Sequence, residues 1–183
     1  IQDKSRELYR QNQIRYWWIS SDKQGNAPIQ DAALWSAQTG IDGRDSYSLM
    51  RELSAGDVCY ICSRGAIVAR GVVTASAEER VAPPSYTVDD ARSQDEIGYY
   101  VPFQPTELQP KLLLENFSER LIQSLIGPGL PLLETRNRKQ KYIFEIPSEV
   151  ALQLDSEING GVSTSSEVAQ LINQGYRSFI LEG

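Results

Sequence analysis

Within residues 15–35, RYWWISSDKQGNAPIQDAALW, the chain commits to an aromatic strand, a short polar turn and a helix that ends on another tryptophan. Tyr16 to Ser20 predict a strand, because aromatic and β-branched side chains fit a pleated, half-buried surface. Residues 21–26 supply turn chemistry, and Pro28 suits the first turn of a helix over residues 28–38. That helix returns Trp35 to the end of the strand, beside the hydroxyls of Ser20, Ser21 and Ser36. A tryptophan face next to exposed hydroxyls and turn amides meets the needs of a flat, polar, aromatic ligand, whose face stacks while its edges find donors and acceptors. A nucleobase is such a ligand.

Composition narrows the chemistry. The chain has no histidine, which removes Ser-His-Asp and Cys-His catalysis, HExxH zinc sites and His-dependent nuclease chemistry together. Cys59 and Cys62 are the only cysteines; the surrounding DVCYICS alternates as a strand, so the pair reads as buried reduced thiols rather than a redox turn or a zinc site. The net charge of −6 argues against indiscriminate nucleic-acid binding, which depends on neutralising phosphates, but allows a local basic face. No run approaches the ~18 apolar residues of a membrane span, and the amino end lacks a signal core. The chain therefore reads as soluble and cytoplasmic, with no membrane partner, no metal and no cofactor. It starts at Ile1 without an initiator Met, as an excised piece of a longer chain would.

Three regions are expected: a helical entry segment over residues 1–14, a domain over 15–158, and a linker with the start of a following domain over 159–183. Inside the main domain a helical turn is expected over residues 47–53, after the glycine-rich loop TGIDGRDS. Strands follow over 58–63 and 67–75, joined by a tight turn at Arg64-Gly65. Residues 78–95, with Pro83-Pro84, read as a surface loop. YYVPF at 99–103 resumes strand character, which Pro102 and Pro105 confine to an edge or end. Residues 111–126 carry apolar spacings of one or two helices, KYIFEI at 141–146 is a last strand, and Pro147 starts a helix through Leu154. These elements predict an α+β domain, a curved and mostly antiparallel sheet flanked by helices.

With these residues in place the chain resembles the EVE/YTH-like branch of the PUA superfamily. YTH domains carry a strand ending in an I-K-S-like turn, then a helix ending in G-x-W-[SA]; here Ile19-Ser20-Ser21 and Leu34-Trp35-Ser36 stand in those places. EVE-like modules add a Gly-Asp before a strand, here Gly56-Asp57, and a hairpin strand with a central glycine, here Ala69-Arg70-Gly71-Val72. The resemblance implies a PUA-like β-barrel and an aromatic cage for a methylated base. The chain departs from the YTH pattern at Ser20, where a Lys would stand, and at the second cage aromatic, for which Tyr99 or Tyr100 is available. Residues 168–174 followed by FILEG at 179–183 resemble the approach to the Walker A loop in McrB-like restriction GTPases, where a reader domain precedes an AAA+ motor.

These resemblances imply a non-enzymatic reader that flips N6-methyladenine or a modified cytosine out of double-stranded DNA. It would serve a restriction system whose motor lies further along the same chain and whose nuclease is a separate subunit. Trp35 and Tyr100, with Tyr99 as alternative, are the expected cage walls; Trp18 is a further aromatic candidate. Ser20, Ser21 and Ser36 are expected at the base edge, with Asp22 accepting from an exocyclic amine. Backbone or groove contacts are expected from Arg44, Arg64, Arg70, Arg136, Arg138, Lys139 and Lys141. Two other readings stay open: an RNA-binding PUA/YTH-like module, and an enzyme acting on a nucleotide or small molecule.

Overall fold

The strand β1 (Tyr16–Ser20) organises the molecule because it has neighbours on both sides and cover on both faces. A computed structural model describes residues 13–40, 42–43, 47–88 and 92–160. Arg44, most of the expected entry segment (residues 1–12) and the expected approach to a motor (residues 161–183) lie outside the described residues.

Six further strands complete the sheet: β2 (Ala33–Ala37), β3 (Val58–Ser63), β4 (Ala66–Val73), β5 (Glu78–Val81), β6 (Ile97–Leu113) and β7 (Ile143–Ile146). Their order is β2-β6-β4-β3-β1-β7, with β5 also paired to β6. Only β1 and β3 run parallel, which is why the long crossover between them, residues 21–57, can carry a helix and β2. The first part of β6 pairs with β2 and β5, and the rest pairs with β4. Register shifts between Ile67 and Ala69 and between Ile61 and Cys62 accompany the curvature. The result is a curled mixed sheet forming a half-barrel, the expected α+β architecture.

Alternation along β1 sends its two tryptophans to opposite faces, and both are fully buried. Trp17 and Ile19 enter the interior of the curl with Cys59, Ile61, Met50, Val101 and Phe103. The Trp17 indole N–H donates to Asp57 (3.0 Å), whose carboxylate also accepts from the Arg15 and Ser54 N–H groups. Trp18 goes the other way, under α2 (Glu119–Ser124) and α3 (Ser148–Ile158), with Tyr60, Leu121, Leu125, Phe144 and Leu154. Ser118 caps α2 by accepting from the Leu121 N–H. The Tyr60 hydroxyl donates to Asp155 (2.8 Å), and the Arg70 guanidinium pairs with the same carboxylate, fastening α3 to the sheet.

Four sequence expectations change. The helix expected over 28–38 shrinks to α1 (Ala27–Gln30), because Ala32 takes a positive φ of 50° and the chain enters β2. Pairing with β6 overrides the helix propensity of DAAL, so Trp35 stands on a strand. The prolines of β6 do not confine it: the strand runs on to Leu113, and Pro102 takes part as an acceptor, from the Thr74 N–H (3.0 Å). For the same reason residues 111–113 are strand rather than helix, Leu112 pairing with Ile67. Part of the loop expected at 78–95 is β5.

Candidate nucleic-acid interface

The curled sheet leaves a seam, because β2 and β7 end the strand order and do not pair with one another. A cavity of about 800 Å³ opens there, within the roughly 300–1,000 Å³ typical of small-ligand sites. It is lined by the end of β1 and its turn (Ser20, Asp22, Gln24), by Trp35, Ser36 and Ala37 of β2, by Thr87 and Val88, and by residues 137–142.

The free edge of β2 is capped by side chains. The Tyr86 hydroxyl donates to the Ala33 carbonyl (2.6 Å), and Gln24 Nε2 donates to the Trp35 carbonyl (3.2 Å). The Trp35 indole is fixed by its own N–H, which donates to the Arg80 carbonyl on β5 (3.0 Å), and by Tyr86, whose ring meets it edge-on at 6.3 Å. Gly98 makes this packing possible: a Cβ there would fall 2.5 Å from the indole and 2.2 Å from the Ser36 carbonyl.

Tyr47 and Tyr142 add π-surface, meeting each other edge-to-face at 5.9 Å. Three polar atoms in the lining are buried without a hydrogen bond: Ser36 Oγ, Gln24 Oε1 and the Tyr142 hydroxyl. The Tyr142 hydroxyl lies beside the Tyr86 hydroxyl and the Trp35 backbone, yet bonds neither with good geometry. Burial pushes its pKa upward, so it stays a neutral donor.

Cations gather at the same opening: Lys23, Arg92, Arg138, Lys139 and Lys141 line it. Asp22 is the one carboxylate among the described lining residues, and Arg138 holds it, Nη1 reaching its oxygens at 2.7 and 2.6 Å. Asp22 also accepts from the Arg64 N–H (2.7 Å). Desolvation raises the Asp22 carboxyl, but the Arg138 and Arg64 hydrogen bonds outweigh it, and the net shift is below the ordinary carboxylate value. Beside this pair, burial pushes the Cys62 thiol up to about 12. Both cysteines are buried and free.

Of the residues expected at a base pocket, the structure brings Trp35, Ser20, Asp22 and Ser36 to the cavity. It does not bring the others. Trp18 is sealed beneath α2 and α3. Tyr99 packs into the interior of the curl, opposite Ser36. Tyr100 is directly opposite Trp35 in the β2–β6 ladder; residues so paired stand side by side on one sheet face, and cannot sandwich a ring between them. Its ring instead carries the Arg80 guanidinium at 4.3 Å. Ser21 is buried, with its Oγ unpaired, outside the cavity lining. Asp22 already serves Arg138 and Arg64 rather than standing open for an amine.

Of the basic candidates, Arg138, Lys139 and Lys141 line the opening. Arg64 is a turn residue with φ of 50°. Arg70 is taken up by Asp155 and stacked over Tyr60, and Arg136 pairs with Glu119 (2.6 Å). Tyr47, Tyr142, Gln24, Lys23 and Arg92 were not singled out from sequence. Alternation along β7 would send Tyr142 to the face of Phe144; it lies just before the strand, where the Ser20 N–H bonds its carbonyl (2.7 Å) and its ring turns to Tyr47.

The curled mixed half-barrel is a PUA-like α+β fold. No protein-family model and no curated protein matches the chain. Solved structures do match its fold. The YTH domain of Zygosaccharomyces rouxii MRB1, in complex with N6-methyladenosine RNA, is 12% identical with a TM-score of 0.51, over 81% of this chain and 89% of that one. A protein from Pseudomonas putida is 14% identical with a TM-score of 0.50, over 78% and 99%. Human THYN1, in complex with 5-methylcytosine-containing DNA, is 14% identical with a TM-score of 0.47, over 79% and 96%. The fold is therefore a PUA-like half-barrel of the YTH type, as the sequence resemblance implies. Among the described residues, no helix is long and apolar enough to cross a membrane, and no group of His, Cys, Asp or Glu could hold a metal ion.

Proposed function

We propose that this chain is a reader module that takes a methylated base, flipped out of a nucleic acid, into the seam cavity. One observation carries the reading: an aromatic cavity at a basic opening holds three buried polar atoms, Ser36 Oγ, Gln24 Oε1 and the Tyr142 hydroxyl, that no protein group satisfies. Buried polar groups ordinarily find partners, and a base edge offers both donors and acceptors. The likeness of fold to a YTH domain in complex with N6-methyladenosine RNA supports the same reading.

The energetics are consistent. Extruding a base costs a few kcal/mol, and stacking on one aromatic side chain returns about 1–3 kcal/mol. The Trp35 indole is buried, packed against Gly98 and Tyr86, so the half-buried Tyr47 and Tyr142 rings offer the stacking surface. The edge hydrogen bonds supply the rest, and the lysines at the opening hold the backbone. Catalysis has no part in the proposal, since the chain has no histidine and Arg138 occupies the cavity carboxylate.

We extend the reading to DNA, with the module targeting a restriction system whose motor follows in the same chain and whose nuclease is separate. This extension rests on the resemblance of residues 168–183 to the approach to a Walker A loop. An RNA ligand is the second reading, favoured by the YTH likeness. Titration against matched duplex DNA and single-stranded RNA decides between them, each unmodified, N6-methylated on adenine or 5-methylated on cytosine, at two salt concentrations. Preference for one methylated ligand is the expected result and names base and polymer. Equal, weak binding to every ligand overturns the reader assignment.

A further inference from the structure

The cations at the cavity opening differ in how they are held. Arg138 is gripped by a carboxylate that itself lines the cavity: its Nη1 reaches both Asp22 oxygens, at 2.7 and 2.6 Å. The pair is accessible, with side-chain exposures of 29% for Arg138 and 43% for Asp22. Asp22 is held in place independently, because Oδ1 also accepts the Arg64 N–H from the β3–β4 turn. The pairing is thus built into the fold, joining the turn after β1 to the segment before β7.

A guanidinium presents the same fork of donors to a phosphate as to a carboxylate. We propose that Asp22 masks Arg138 as a phosphate-binding cation, holding down the sequence-independent grip of the opening on a nucleic-acid backbone. Binding then depends on what enters the cavity rather than on charge. The net charge of −6 acts in the same direction over the whole chain. The inference rests on the reader assignment and adds to it a residue that sets the balance between base and backbone recognition. It also replaces the role expected for Asp22 from sequence, as acceptor for an exocyclic amine.

Asp22→Asn removes the charge and keeps an oxygen for the Arg64 N–H. In the full chain, this variant is expected to bind modified and unmodified oligonucleotides more tightly by the same severalfold factor. The slope of log affinity against log salt should steepen by about 0.7–0.9, the value of one added phosphate contact. In Asp22→Asn/Arg138→Gln the slope should return to that of the natural chain. Lower affinity confined to the modified oligonucleotide would overturn the proposal and make Asp22 a base contact. An unchanged slope would overturn it as well. Should Asp22→Asn unfold, Asp22→Ser removes the same charge, keeps an acceptor and is held to the same outcomes. A natural chain that shows no preference for any modified base fails the reader assignment instead, which is a separate readout.

Discussion

The helix-covered face of the sheet and the β2–β7 seam treat polar atoms in opposite ways. On the face covered by α2 and α3, the Tyr60 hydroxyl, the Arg70 guanidinium and the Asp155 carboxylate satisfy one another, and the cluster is closed. The Trp18 indole N–H, without a partner, is the exception there. At the β2–β7 seam, Ser36 Oγ, Gln24 Oε1 and the Tyr142 hydroxyl are buried and unsatisfied around open space. Both regions use tyrosines and both bury tryptophan. Aromatic content therefore does not distinguish the two regions; unsatisfied polarity beside a cavity does, and it marks the seam as the proposed site.

The comparison can be broken first at the tryptophans. Trp18→Ala should cost about 3–5 kcal/mol of stability through the void left under the helices. Chemical denaturation would measure it, and a cost below about 1 kcal/mol would mean that this face is not the closed core described. Any loss of ligand affinity in Trp18→Ala should follow loss of fold and disappear under conditions where the variant is folded.

The same substitution at two tyrosines sharpens the contrast. Tyr60→Phe deletes a hydroxyl that Asp155 uses, and should cost about 1–2 kcal/mol of stability. Tyr142→Phe deletes a hydroxyl that forms no hydrogen bond, and should leave stability within about 0.5 kcal/mol while weakening ligand binding. Equal stability costs at the two positions would erase the distinction between the regions.

The smallest effect concerns acid. The Asp22 carboxyl is held below its ordinary value, so the stability it contributes is present above its unfolded pKa, about 3.9, and is lost as pH falls through the lower folded value. Unfolding midpoints of the natural chain and Asp22→Asn should differ at pH 6 and converge toward pH 2. Because the pair is partly exposed, the difference should be small and should shrink with added salt.

The sequence revealed β1, the β3–β4 hairpin and the fold type, because aromatic alternation and the Arg64-Gly65 turn are local signals. It did not reveal β2, since Ala33 to Ala37 become a strand through pairing with β6, a partner more than sixty residues away. That misreading still left Trp35, Ser20 and Ser36 among the residues lining the seam cavity, because the turn after β1 and the return of the chain hold in either conformation. Tyr47 and Tyr142 stayed hidden for another reason. They meet only when the sheet curls, and nothing within a few residues of either records the curl.

The most direct test of the central claim is ¹⁹F NMR of the chain labelled with 5-fluorotryptophan, which reports on its three tryptophans separately. On saturation with an oligonucleotide carrying the preferred methylated base, the Trp35 resonance should move strongly, while those of Trp17 and Trp18 stay where they are. A bound complex in which the Trp35 resonance does not move would contradict the account and place the ligand outside the seam.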